Sequence, residues 1–247
     1  MMSDSSLDRL LAIMARLRDR DSGCEWDLAQ RWDTIAPYTI EEAYEVADAV
    51  ARGSIEDVRD ELGDLLLQVV FQSRIAEEDG LFAFEDVAAA IADKMERRHP
   101  HIFGSAGERP DWDTVKAAER PADAGALVGV TLGLPALNRS EKLQKRAARV
   151  GFDWPDATGP RAKIDEELAE VDDAGPDGLA EEIGDLLFSV VNYARHRGVD
   201  PEAALRDANA KFERRFAGME ALAGAGFSAM TLDQKERLWA SVKRSDG

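Results

Sequence analysis

At 247 residues the chain is long enough for one large domain or two small ones, each able to bury a core. Thirty-one Lys and Arg against 49 Asp and Glu leave a net charge of −18. That balance argues against nucleic acid as a partner, because a phosphate backbone needs a basic face, and against an anionic membrane surface. The single cysteine, Cys24, excludes an intrachain disulfide and fits a reducing, cytoplasmic compartment.

In chain order, the first twenty residues place apolar side chains at helical spacing between Asp and Arg. They read as an amphipathic helix rather than a signal peptide. No run of eighteen apolar residues follows, so no membrane span is expected. After "GCEWD" comes "IEEAYEVADAV", Ile40 to Val50, a helix with Glu41, Glu42, Glu45 and Asp48 on about a third of its wheel. The turn "ARGS" leads to "ELGDLLLQVV", Glu61 to Val70. Its leucines and valines cover nearly the whole wheel, which predicts a helix buried on most sides. Glu61, Asp64 and Gln68 form its one polar stripe. Past the turn "EEDG", "KMERR" puts Lys94, Arg97 and Arg98 on one helical face. His99 and His101 flank a proline that blocks a regular helical pair, and ligand, acid–base and structural roles all stay open for them.

A stretch punctuated by Gly and Pro follows, with a short helix expected at Asp111 to Glu119 and a linker over 121–138. The helix "RSEKLQKRAARV" opens a second half that repeats the first. "FDWPD" faintly matches "CEWD". "EELAEVDD" (Glu166 to Asp173) matches "EEAYEVAD", and "EIGDLLFSVV" (Glu182 to Val191) is identical to "ELGDLLLQVV" at seven of ten positions. "KFERR" matches "KMERR" with Lys211, Arg214 and Arg215, and "WASVK" (Trp239 to Lys243) echoes "WDTVK" (Trp112 to Lys116). The offset shrinks from 125 (41 to 166) to 121 (61 to 182) and 117 (94 to 211), as small loop deletions in a duplicated unit would produce. The expected architecture is all-α, with two tandem helical-bundle units over 1–120 and 139–247.

One acidic helix face is ordinarily a solvated face. The repeat changes that reading. Carboxylates at i,i+3 on a helix otherwise apolar repel each other and lose hydration unless a cation meets them, and the arrangement occurs twice. Facing acidic stripes make a nest of hard oxygen ligands suited to Mg²⁺, with Mn²⁺ as a substitute. The Glu-x-x-His pairs of di-iron bundles, EF-hand spacing and a phosphate-binding Gly-rich loop are all missing. Repeated Lys and Arg beside such a nest suit phosphate, Arg as a fork of donors and Lys as a point charge. Trp239 and Lys243, at i,i+4, either contact a nucleotide or cap the core.

Together, "IAPYTIEEAYEV", "ELGDLLLQVVF", "KMERRHPHIFG", "VGFDW" and "KFERRF" resemble the MazG family of all-α nucleoside triphosphate pyrophosphohydrolases, from about Leu7 to Arg244. The resemblance implies Mg²⁺-dependent hydrolysis of nucleoside triphosphates to monophosphate and pyrophosphate with broad base specificity, in a homodimer. It implies metal ligands Glu167, Glu170, Glu182 and Asp185 in the second unit, the half usually taken as the working site, and nucleotide contacts from Lys211, Arg214, Arg215, Trp239 and Lys243. The first-unit counterparts are Glu42, Glu45, Glu61 and Asp64, with Lys94, Arg97 and Arg98. Glu166 and Glu41 are the candidates to orient or deprotonate the attacking water. No carboxylate is lost from the first unit, so its inactivity does not follow. A narrower dUTP or phosphoribosyl-ATP pyrophosphohydrolase shares the motif. A non-catalytic helical regulatory or interaction protein is the rival of a different class.

Overall fold

The computed structural model describes residues 5–104 and 125–245. The chain divides into two compact units, Met1–Arg120 and Pro121–Gly247. Every regular element among the described residues is helical, and none of these helices is long and apolar enough to cross a membrane.

The first unit holds α1 (Ser6–Leu17), α2 (Glu25–Ala29), α3 (Trp32–Arg52), α4 (Ile55–Glu78), α5 (Phe84–Arg98) and the single turn α6 (Pro100–Phe103). Ser5 caps α1 by accepting from the Asp8 N–H while the Asp8 carboxylate accepts from the Ser5 N–H, which satisfies two free donors at once. α3 and α4 form a tight hairpin. Gly53 ends α3 in the left-handed region (φ 73°), and Ser54 caps α4 by accepting from the Asp57 N–H. α1 and α5 both pack on α4. The core joins Met14, Ile35, Val70, Phe71 and Ile75. Arg18, almost fully buried, ties α1 to the end of α4 through a forked pair with Glu78. Its guanidinium also donates to the Asp27 carbonyl and lies 5.3 Å from the Phe71 ring centre.

The second unit holds α7 (Ala136–Arg149), α8 (Thr158–Asp173), α9 (Leu179–His196), α10 (Pro201–Ala223), a 3₁₀ segment (Gly224–Ala229) and α11 (Leu232–Ser245). α8 and α9 form the matching hairpin, α7 lies on α9 and α10, and α11 packs on α10. α7 starts directly after Pro135. Ahead of it Val130 is buried, and Arg146 donates to the Val128 carbonyl, so the described end of the expected linker packs on this unit. The helix expected at Asp111 to Glu119, and with it the Trp112 to Lys116 echo, lies outside the described residues.

One expectation fails. The leucine-rich helix is not buried on most sides. α4 buries Gln68, Val70 and Phe71 but exposes Leu62, Leu66 and Val69, and α9 exposes Ile183, Leu187 and Val190. Each helix is covered by its hairpin partner and its neighbours on one flank, which leaves an apolar flank uncovered among the described residues.

Candidate active site

In the second unit the turn between α8 and α9 sets the two acid-bearing helices face to face. Glu167, Glu182 and Asp185 each bring a carboxylate oxygen within 4.8 Å of the others. Glu167 is only 3% exposed. One of its oxygens lies 2.6 Å from the Lys163 ammonium, while Oε2 is buried with no hydrogen-bond partner among the described residues. Lys163 also contacts Glu166 at 2.8 Å, and the two carboxylates hold its ammonium well above the usual lysine range. Glu170 falls outside the group of three, yet a hydrogen bond shared with Glu167, together with burial, raises its carboxyl above the ordinary value.

The first unit repeats the pattern with Glu42, Glu45 and Glu61 within 4.8 Å of one another. Burial, followed by the charge of Asp64, raises Glu42; burial and the charge of Glu45 raise Glu61. Asp64 acts on the nest but falls outside the group of three. Gln68 donates weakly to Glu42 at 3.4 Å. Glu41, Glu45 and Asp64 are exposed.

Both nests fit a hard divalent cation. Their donors are carboxylate oxygens crowded within 4.8 Å of one another, and in the second nest a buried oxygen has no hydrogen-bond partner among the described residues. Glu167, Glu182 and Asp185, with Glu170 beside them, are the residues that could hold it there.

The surroundings separate the two units. The second nest opens on a cavity of about 550 Å³ lined by Phe152, Trp154, Phe188, Lys163, Asn192 and Arg195 among others. That volume lies in the range of small-ligand pockets. Trp154 stands over Gly159 in the first turn of α8, where an added Cβ would come within 2.1 Å of the indole, so the ring needs a glycine beneath it. Asp153 pairs with Arg195 at 2.5 Å and with His196 at 2.9 Å. Those hydrogen bonds, against a smaller opposing effect of burial, hold its carboxyl at about 2.

In the first unit the corresponding positions carry different side chains. By the repeat, Tyr38 stands for Lys163, Ile35 for Pro160, Phe71 for Asn192 and Trp26 for Trp154. Trp26 makes edge contacts with Tyr38 and with Phe71 at ring separations of 6.2 and 6.5 Å. Ile35 and Phe71 belong to the core. Aromatic side chains, Tyr38 and Phe71, occupy the positions where the second unit has a lysine and an amide.

The predicted basic residues sit elsewhere. None of Lys211, Arg214, Arg215, Trp239 and Lys243 lines the cavity. On α10 and α11, Arg215 lies 5.9 Å from the Trp239 ring centre and Phe212 stacks obliquely on Trp239 at 5.5 Å, so the tryptophan packs between helices. Lys94 borders an open cleft with Phe82, Val87 and Ile91, while Arg97 and Arg98 share its helix. His99 Nδ1 donates to the Met95 carbonyl at 2.7 Å, and its ring lies 5.7 Å from that of His101. Lys163, Asn192, Arg195 and Asp153 were missed from the sequence. The differences between the repeats, Tyr against Lys and Phe against Asn, were the signal that marks Lys163 and Asn192.

Comparison with known proteins agrees with the repeat. The model of the MazG nucleotide pyrophosphohydrolase domain matches residues 30–103 and 162–217, one segment in each unit. A nucleoside triphosphate pyrophosphohydrolase of Escherichia coli (strain K12) is 49% identical over 98% of this chain and 98% of its own. The nucleoside triphosphate pyrophosphohydrolase/pyrophosphatase MazG of Thermotoga maritima is 41% identical over 97% of this chain and 96% of its own. A nucleoside triphosphate pyrophosphohydrolase of Mycobacterium tuberculosis is 36% identical over 59% of this chain and 46% of its own. With a tandem helical fold, paired carboxylate nests and these relatives, the chain belongs to the MazG nucleotide pyrophosphohydrolase family.

Proposed function

We propose that this chain hydrolyses nucleoside triphosphates, with broad base specificity, to the nucleoside monophosphate and pyrophosphate, and that the second unit is the working site. The observation that carries this reading is the carboxylate group Glu167, Glu182 and Asp185 opening on an aromatic-lined cavity large enough for a nucleoside. In the first unit the same nest adjoins Trp26, Tyr38 and Phe71 packed on one another.

Glu167, Glu170, Glu182 and Asp185 would hold Mg²⁺, or Mn²⁺ in its place; bound there, the ion supplies charge neutralisation for the triphosphate and acidifies a bound water. Phe152 and Trp154 would cover the nucleoside. Glu166, exposed and joined to Lys163, would take the proton of the attacking water. The water oxygen bonds to the α-phosphorus, and the bond from that phosphorus to the α–β bridging oxygen breaks. That oxygen departs with pyrophosphate, carrying the electron pair. Lys163 is positioned to turn from Glu167 to a phosphate oxygen, where its point charge stabilises the developing negative charge. Lys211, Arg214, Arg215 and Lys243 would reach the phosphates from α10 and α11, with Trp239 packed between those helices. The uncovered apolar flanks of α4 and α9 support assembly into a homodimer.

The test is product analysis. Protein incubated with Mg²⁺ and each common triphosphate should release monophosphate and pyrophosphate together. Nucleoside diphosphate and orthophosphate as first products would refute the reading.

A further inference from the structure

Two amide side chains line the cavity of the second unit, and both are more than nine-tenths buried: Asn192 on α9 and Gln144 on α7. Their orientations are set by what they touch. Asn192 Oδ1 accepts from Arg195 Nε at 3.0 Å and Nη2 at 2.7 Å. A guanidinium only donates, so the oxygen must face it and the amide NH₂ is turned away. Arg195 is itself held by Asp153, which also takes the His196 ring nitrogen at 2.9 Å. Asn192 Nδ2 has no hydrogen-bond partner among the described residues.

Gln144 has the opposite polarity. Its Nε2 donates to the Phe188 carbonyl at 2.8 Å. A carbonyl only accepts, so the amide cannot turn over without setting oxygen against oxygen. Gln144 Oε1 is left buried with no partner among the described residues. A buried acceptor without a partner is costly, and a ligand that supplies the missing donor recovers that cost.

We propose that Asn192 and Gln144 are the nucleobase-reading pair of this site, Asn192 giving one donor and Gln144 one acceptor to the edge of the base. This rests on the reading of the cavity as a nucleoside pocket. Every common nucleobase carries both an N–H and an unprotonated nitrogen or oxygen on its edge, so one donor and one acceptor recognise a base without choosing among the four. The pair therefore provides a physical reason for broad specificity, and it sets a limit on it. A base without an N–H leaves Gln144 unsatisfied. At the matching place in the first unit Phe71 can offer no hydrogen bond.

The experiment measures KM for ATP, GTP, CTP and UTP, and Ki for inorganic triphosphate, which carries the phosphates and no base. It compares wild type with Asn192→Leu and Asn192→Asp, the latter keeping the oxygen that Arg195 needs while losing the NH₂; melting curves report folding. The expected result is a rise in KM of about ten-fold for all four nucleotides in Asn192→Leu, with Ki for inorganic triphosphate unchanged. In the wild type, purine riboside triphosphate, which lacks the amino donor of ATP, should show a KM about ten-fold above that of ATP. Unchanged KM values in Asn192→Leu, KM and Ki rising together, or equal KM for ATP and its amino-less analogue would overturn the proposal. Calorimetric titration with AMP separates this proposal from the hydrolase reading. Tighter binding of AMP to wild type than to Asn192→Leu, without release of pyrophosphate from ATP, sinks the hydrolase reading and keeps the base contact. Turnover with unchanged KM does the reverse.

Discussion

The two units share a hairpin, a glutamate nest and a flanking tryptophan, and differ in what stands beside the nest. In the first, Ile35 and Phe71 join Met14, Val70 and Ile75 in a continuous apolar core. In the second, buried polar residues line an open cavity: Gln144 on α7, and Glu167, Ser189 and Asn192 on the hairpin. A duplicated bundle can spend this interior on stability or on a ligand. Burying a phenylalanine contributes about 2–3 kcal/mol, whereas an amide there is tolerable only if its polar groups are satisfied. The difference teaches that a shared carboxylate motif does not give two units the same surroundings.

The sharpest way to break the comparison is a pair of knockouts. Glu167→Gln/Glu170→Gln should lower turnover by at least about 10²-fold, while Glu42→Gln/Glu45→Gln should leave most of it; pyrophosphate release from each common triphosphate reads both. Equal losses would mean that both units work. Next comes an exchange of interiors. Phe71→Ala should destabilise the first unit by about 4 kcal/mol in chemical denaturation. Asn192→Phe should remove nucleotide binding while costing the second unit far less, because it fills space that is already open.

A smaller effect tests the polar wall. Asp153 sits at about 2 in the folded chain against 3.8 ordinarily. The depressed value means the ionised form stabilises the fold. That contribution is complete above about pH 4 and disappears as pH falls through about 2. Asp153→Asn should therefore cost no more than about 1 kcal/mol at neutral pH, because Asp153 is exposed and solvent screens its pair with Arg195, and make unfolding less sensitive to acid over that window. The smallest effect is that of the metal. Glu42 and Glu61 in the first nest and Glu170 in the second have raised carboxyls, so the repulsion within each nest is absent at low pH and grows as pH rises through their folded values. Mg²⁺ should raise the melting temperature by a few degrees, on the order expected for a weakly bound ion. The shift should be largest near pH 7 to 8 and fade as the carboxyls protonate, and chelation should reverse it.

Much of this was legible in the chain. The hairpins, the turns at Gly53 and at Gly175 to Gly178, and the facing acids follow from helical periodicity and from motifs stated twice. The degree of burial of "ELGDLLLQVV" was not legible. A wheel of leucines records that an apolar flank must be covered, but it does not record by what, and within one chain Leu62, Leu66 and Val69 stay exposed. The role of Trp239 was open between nucleotide and core, and its contacts with Phe212 and Arg215 put it in the packing of α10 and α11.

By itself, the sequence determined the all-helical duplication and the acids that face each other, because helical period and repetition are local properties of a chain. Only the tertiary structure decided that Lys163 sits on Glu167, that Asp153 reaches Arg195 across 42 residues, and that Asn192 and Gln144 share a cavity wall. Those contacts join single polar residues on separate elements. A lone amide or lysine carries no period, so its meaning comes from the neighbours that packing brings to it.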